Sequence, residues 1–224
     1  MRGFLHRAVR AEADAGVRHQ PLWGDGLVLA HGAGSSAESP LLVSLASAFA
    51  RNGACVLRCD LPFRQARRRG PPSRGDAARD REGLARAVAA MRSIVRGRVF
   101  LGGHSYGGRQ ASMVAAERPG LADALLLLSY PLHPPGRAAE QRTSHFPALA
   151  TPALFVHGTR DPFGSLEAVT TATQRIPARV DVLAAGGAGH DLARGRALTA
   201  LATRVVEQFN AFVSRHEAGP SQKR

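Results

Sequence analysis

Lysine is almost missing from this chain: of its 30 basic residues, only Lys223 is not arginine. Cysteine is as scarce. Cys55 and Cys59 are the only two, and both fall in the apolar run Ala54–Asp60. On an extended strand of ~3.3 Å per residue they stand about 13 Å apart, too far to bridge each other. Without neighbouring histidines they make no zinc site, so no metal is expected. No apolar run approaches the ~18 residues of a membrane helix, and Met1–Gly26 lacks the apolar centre of a signal peptide. The cytosol is therefore the expected location, with no membrane contact. Neither a phosphate-cradling loop nor a dinucleotide fingerprint is present, since Gly186–Gly189 leads into a histidine rather than a phosphate site, and no organic cofactor is expected. Aromatic residues make up only 5% of the chain. Basic clusters attract phosphate backbones, but with so few aromatics and no reading motif, nucleic acid is not an expected partner despite the net charge of +13.

What is present is a regular alternation of short apolar runs and amphipathic segments. Strands are expected near Leu27–Ala30, Ala54–Asp60, Arg98–Gly102, Ala124–Ser129, Ala153–His157 and Arg179–Ala184. Helices are expected near Pro40–Arg51, Arg74–Val95, Tyr106–Glu117, Ser165–Arg175 and Arg194–Arg215. Such alternation implies an α/β fold with a mostly parallel central sheet covered by helices on both faces. With 224 residues, 44% of them hydrophobic, one substantial core suffices. The expected domain is 27–215. Residues 1–26 form a segment of undetermined structure belonging to it, and 216–224 a flexible tail.

The chemistry concentrates at Gly103-His104-Ser105-Tyr106-Gly107, between an expected strand and an expected helix. In a G-x-S-x-G elbow the serine makes a sharp strand-to-helix turn, and the flanking glycines let strand and helix approach without a Cβ clash. A glycine-rich turn that happens to contain serine is the plainer reading, and the flanking elements argue against it. Serine needs a base to take its proton and a third group to hold that base. Asp161 follows the run Thr151–Gly158, and His190 follows Ala178–Ala184, so both stand at strand ends in the order Ser, Asp, His. Asp191 is the rival acid, but adjacent side chains diverge, which leaves it badly placed to orient the ring of His190. The run Leu27–Ala30 leads into His31-Gly32-Ala33-Gly34. That loop can bring the amide of Ala33 beside the amide of Tyr106 as a pair of oxyanion donors. His31 reads as a structural residue of the loop rather than a second base.

The His31–Gly34 loop, the elbow ending in Gly107-Gly108-Arg109, the stretch Ser129–Leu132 and the segment Phe155–Gly164 together resemble the KANSL/Tex-type subgroup of predicted α/β-hydrolases. That subgroup is similar to dienelactone hydrolases. The resemblance runs from about Gly26 to His190 and implies an α/β-hydrolase fold with catalytic Ser105, Asp161 and His190. Members of the subgroup often carry Lys and Met where this chain has His104 and Tyr106, so the departure touches substrate choice rather than the triad.

Two further segments bear on substrate. Leu61–Arg74 is rich in arginine and follows a strand end, so Arg67, Arg68 and Arg69 could hold an anionic substrate through two-pronged guanidinium contacts. A solvated loop on a basic protein is the plainer reading and the preferred one. The segment between Ser129 and Thr151, where relatives insert a cap, is too short for a lid domain. It predicts a shallow, fairly open site, with Tyr130, His133, His145 and Phe146 as wall candidates and His31 and Gly34 as further substrate contacts. The sequence thus points to a small serine hydrolase of esters, thioesters or lactones acting on a small molecule. It leaves open a catalytically silent module that binds an acidic partner through its arginine surface, and it does not set the oligomeric state.

Overall fold

The structure, a computed structural model, describes residues 2–8, 24–73, 75–134 and 136–215. Among these residues seven strands form one sheet: β1 (Gly3–His6), β2 (Gly26–Ala30), β3 (Cys55–Cys59), β4 (Val99–His104), β5 (Leu125–Leu128), β6 (Ala153–Gly158) and β7 (Val180–Ala185). Their order is β1-β3-β2-β4-β5-β6-β7, and all neighbours are parallel except β1 against β3. Register brings the carboxyl ends together, with Ala30 opposite Gly103, His104 opposite Leu128 and Gly158 opposite Ala185. In such a sheet the crevice outside those ends is where ligands bind.

Among the described residues six α-helices cover it: α1 (Pro40–Arg51), α2 (Pro62–Ala66), α3 (Asp76–Arg92), α4 (Tyr106–Glu117), α5 (Leu166–Thr173) and α6 (Ala197–Ser214). Their starts are legible in local chemistry. Ser39 caps α1 by accepting the amide of Leu42, with Pro40 just inside, and Ser165 caps α5 through the amide of Ala168. Strand side chains alternate between two cores. Val28, Ala30, Leu101, Leu125 and Leu127 pack beneath α3 and α4, while Leu27, Leu29, Phe100, Leu126 and Leu128 pack against α1 and α6. Phe209 stands edge-on to both Phe49 and Phe100 and ties that second layer together.

Three departures from the sequence expectations matter. The segment 1–26 contributes a strand, since β1 pairs antiparallel with β3 from Gly3 opposite Cys59 to His6 opposite Val56. Its alternating exposed and half-buried pattern on four residues is too short a signal to read. The basic stretch after Asp60 is not loop throughout, because Pro62 starts the one-turn helix α2. Strand β4 runs on through His104, two residues past its expected end, and leaves one residue for the turn into α4. The expected helix start at Arg74, residues 9–23 of the amino-terminal segment and the expected tail 216–224 lie outside the described residues. Cys55 and Cys59 are both buried and free.

Candidate active site

Ser105 alone makes the turn from β4 to α4, with φ 52° and ψ −117°, a conformation that L side chains rarely adopt. Hydrogen bonds grip it on both sides. Its amide donates to the Leu128 carbonyl at 2.8 Å, and its carbonyl accepts the Arg109 amide at 2.9 Å. The glycines are steric requirements: a Cβ on Gly103 would lie 2.7 Å from the Gly107 carbonyl carbon, and one on Gly107 would lie 2.5 Å from the His31 carbonyl oxygen. Because the bond from Arg109 is the one that opens α4, the amides of Tyr106 and Gly107 stand at its positive end without intrahelical partners.

The loops after β6 and β7 bring the other two groups to Ser105. His190 Nε2 lies 2.8 Å from the Ser105 hydroxyl, and its Nδ1 lies 2.8 Å and 3.1 Å from the two Asp161 carboxylate oxygens. Asp161 is buried at the end of β6 and also accepts the Phe163 amide at 2.9 Å. Burial pushes its carboxyl up, but the bonds from His190 and the Phe163 amide outweigh it, so the net displacement is below the usual carboxylate value. The Phe163 ring packs on the His190 ring with centroids 4.2 Å apart. Asp191 turns the other way, into an ion pair with Arg194.

Several buried polar contacts hold the surrounding loops. His31 is fully buried; its Nδ1–H donates to the Gly32 carbonyl at 2.8 Å, and its Nε2 accepts the Leu61 amide at 3.1 Å. That pairing defines a neutral ring, in agreement with burial lowering its pKa. His104 donates from Nε2 to the His190 carbonyl at 2.8 Å, and burial lowers its pKa as well. Tyr106 donates its hydroxyl to Asp80 at 2.7 Å, and burial followed by that carboxylate pushes the phenol up. The Arg64 guanidinium reaches the carbonyls of Ala33 and Ser35, both at 2.8 Å, and so fixes the outer side of the His31–Gly34 loop.

Ser105 and His190 face a cleft of about 980 Å³. Ala33, Gly34 and Tyr106 are among its lining residues, and Pro71, Pro72, Pro131 and Phe163 supply apolar walls. Other candidates are corrected. His31 and Tyr130 are fully buried rather than substrate-facing, and the Tyr130 hydroxyl donates to the Arg142 carbonyl at 2.6 Å. Phe146 is core, and His145 pairs with the buried Ser112 hydroxyl at 2.8 Å, while His133 is not among the lining residues. Arg67 is tied to Asp76, and Arg68 and Arg69 line a neighbouring hollow with Ser36 and Glu38, so none of the three borders the cleft. Among the described residues, the arginines that do border it are Arg109 and Arg142. Arg109 was findable, since a residue four beyond Ser105 falls on the same helix face one turn on. Arg142 sits in an irregular segment that carries no periodicity.

A parallel sheet in this order, with a strained serine between strand and helix and its partners on later strand ends, defines the class of the α/β-hydrolases. The profile of the alpha/beta hydrolase domain matches residues 24–216, and the chain belongs to that family. Among solved structures, it is similar to Est1E from Butyrivibrio proteoclasticus with ferulic acid bound, at 15% identity and a TM-score of 0.71 over 95% of each chain. It is also similar to dienelactone hydrolase from Anabaena variabilis, at 24% identity and a TM-score of 0.70 over 94% of this chain and 91% of that one. An alpha-beta serine hydrolase homologue from Coxiella burnetii follows at 18% identity and a TM-score of 0.64, over 96% and 91%. At these identities the likeness is one of fold. Among the described residues no helix is long and apolar enough to cross a membrane.

Proposed function

We propose that the protein is a serine hydrolase of small esters, thioesters or lactones, of the KANSL/Tex-type subgroup near the dienelactone hydrolases. The observation that carries this reading is the unbroken hydrogen-bond chain from the Ser105 hydroxyl through His190 to Asp161. Ser105 attacks the acyl carbon while His190 Nε2 takes its proton and then delivers it to the leaving oxygen or sulfur. Asp161 keeps the Nδ1–H tautomer and stabilises the imidazolium. The amides of Tyr106 and Ala33 receive the oxyanion, the first at a helix start where negative charge is favoured. Water then repeats the sequence on the acyl-enzyme. These steps draw on side chains and amides of the chain itself, with no metal or organic cofactor, and suit a cytosolic enzyme.

Fluorophosphonate labelling, with the adduct located by mass spectrometry, tests the assignment. A single adduct on Ser105 is expected, and Ser105→Ala should abolish hydrolysis of short acyl nitrophenyl esters while the thermal transition stays cooperative. Undiminished turnover by that variant, or an adduct on Ser35 or Ser129 instead, overturns the assignment of Ser105, whereas no adduct and no hydrolysis by the wild type leaves the arginine-surface interaction module in its place.

A further inference from the structure

Resting on the hydrolase reading, we propose that Asp80 is a positioning residue for the oxyanion site, and that together with the one-turn helix α2 it sets the spacing of the Tyr106 and Ala33 amides. Asp80 is fully buried and does not line the cleft. It acts through the Tyr106 hydroxyl, which donates to its Oδ2 at 2.7 Å, while its Oδ1 accepts the Phe63 amide of α2 at 3.0 Å.

The two donors come from segments that strand pairing does not join. β2 and β4 stay in register as far as Ala30 opposite Gly103, and beyond that pair the chain enters the His31–Gly34 loop on one side and the elbow on the other. The Tyr106 amide opens α4, so no intrahelical bond ties it. Helix α2 reaches both segments. The Phe63 ring stands edge-on to the Tyr106 ring, with centroids 5.7 Å apart, and tilted against the His31 ring at 5.6 Å. The next residue, Arg64, holds the carbonyls of Ala33 and Ser35, and the Leu61 amide just before the helix holds His31. Gly83 of α3 admits α2 this closely, since a Cβ there would lie 2.6 Å from Pro62 Cγ. One rigid turn thus touches each donor segment, and Asp80 fastens that turn to Tyr106.

A buried carboxylate is a costly fastener. Among the described residues Asp80 has no cation within ion-pair distance, and burial pushes its carboxyl up. An apolar side chain fills such a space at lower cost, but it accepts no hydrogen bond. Two acceptor oxygens aimed at two donors fix the direction of the Tyr106 side chain as well as its packing. That precision matters where charge develops only in the transition state, because a misplacement of about 1 Å costs on the order of 10²-fold in rate.

Tyr106→Phe, which removes one hydroxyl and keeps the ring, is the primary variant. On a short acyl nitrophenyl ester its kcat is expected to fall roughly ten- to hundredfold with KM changed less than about twofold, because an oxyanion donor acts on the transition state. Affinity for an alkyl trifluoromethyl ketone should fall in parallel with kcat/KM. Ser105 adds to that carbonyl, His190 takes the proton, and the hemiketal oxygen occupies the oxyanion position. A purely structural loss would instead lower the melting temperature and leave both readouts in place. Asp80→Ala should resemble Tyr106→Phe, and Asp80→Asn, which keeps one acceptor oxygen for the Tyr106 hydroxyl, should lose less. In the Tyr106→Phe background Asp80→Ala should add less than about twofold, since it acts through that hydroxyl. Should Asp80→Ala lose its cooperative melting transition, Tyr106→Phe alone decides. If Tyr106→Phe stays within about twofold of wild type in kcat and ketone affinity, if its loss lies in KM, or if the two losses multiply, the positioning role is overturned while the hydrolase reading stands. A wild type that neither hydrolyses the ester nor binds the ketone overturns the hydrolase reading itself, and the positioning role with it.

Discussion

Replacing Asp161 by Asn tests the candidate machinery most sharply, because it changes one oxygen for a nitrogen and leaves the volume alone. In the native arrangement both Asp161 oxygens face His190 Nδ1, at 2.8 Å and 3.1 Å, and one also accepts the Phe163 amide. An asparagine that keeps the Phe163 bond through its carbonyl turns its NH2 toward His190. That forces Nδ1 to accept, moves the ring proton to Nε2, and leaves nothing on Nε2 to take the Ser105 proton. It also removes the buried negative charge facing the imidazolium. Loss of such a carboxylate lowers kcat on the order of 10³ to 10⁴, which is about 4–5.5 kcal/mol of barrier. The readout is kcat on a short nitrophenyl ester at several pH values, with part of the activity expected to return at high pH, where less imidazole protonation is demanded. Asp191→Asn is the control. Its carboxylate pairs with exposed Arg194 instead of His190, so kcat should change less than about tenfold. Activity of Asp161→Asn within tenfold of wild type, or a crippled Asp191 variant, refutes the assignment of the orienting acid.

Replacing Arg67, Arg68 and Arg69 together by Gln should leave kcat/KM within about twofold on neutral and anionic esters alike. These side chains lie outside the cleft, where Arg67 pairs with the buried Asp76; a selective loss on the anionic ester would move the substrate field back to that loop. Stability should fall as pH drops below about 6.5, because burial depresses the folded-state pKa of His31 and His104, and that of His145 to about 4, while the unfolded chain binds protons at the ordinary histidine value. With depressed values the contribution is complete above 6.5 and is lost as pH falls through the folded values; a melting temperature that stays flat between pH 7 and pH 4 would contradict these burials.

How much of this was legible depended on whether the signal was local. Strands buried on both faces read as continuous apolar runs, so β2, β5 and β6 declared themselves, and α1 and α4 were legible to the residue. The residues around Ser105 were legible for a different reason: a turn this tight admits only glycine at its flanks, so a steric demand is written directly into the chain. Edge strand β1 escaped because four half-exposed residues carry no pattern until a partner strand is known. The arginines misled for a related reason. Arg67, Arg68 and Arg69 are conspicuous as a run, yet a run on an exposed turn meets solvent, whereas Arg109 and Arg142 are far apart in sequence and meet only in the folded cleft. Clustering along the chain measures composition, and clustering at a site is set by topology.

The same contrast explains how a site made from loop ends can be stiff. Ser105, Asp161 and His190 all sit just past strand termini, where backbone is free to move unless tied. The ties here are imidazole hydrogen bonds. His31 links its loop to the start of α2, His104 links the end of β4 to the carbonyl of His190, and His157 donates from Nε2 to the Gly164 carbonyl beyond Asp161 at 2.8 Å. Each bridges two segments that no strand pairing joins. A lysine at 104 would bring a charge against the His190 carbonyl and so raise the field felt by the neighbouring ring, whereas a neutral imidazole fixes the position of His190 without altering its charge. On the proposed assignment, His104 beside Ser105 acts on geometry rather than on electrostatics. Among the described residues, the cationic side chains of the cleft wall are Arg109 and Arg142.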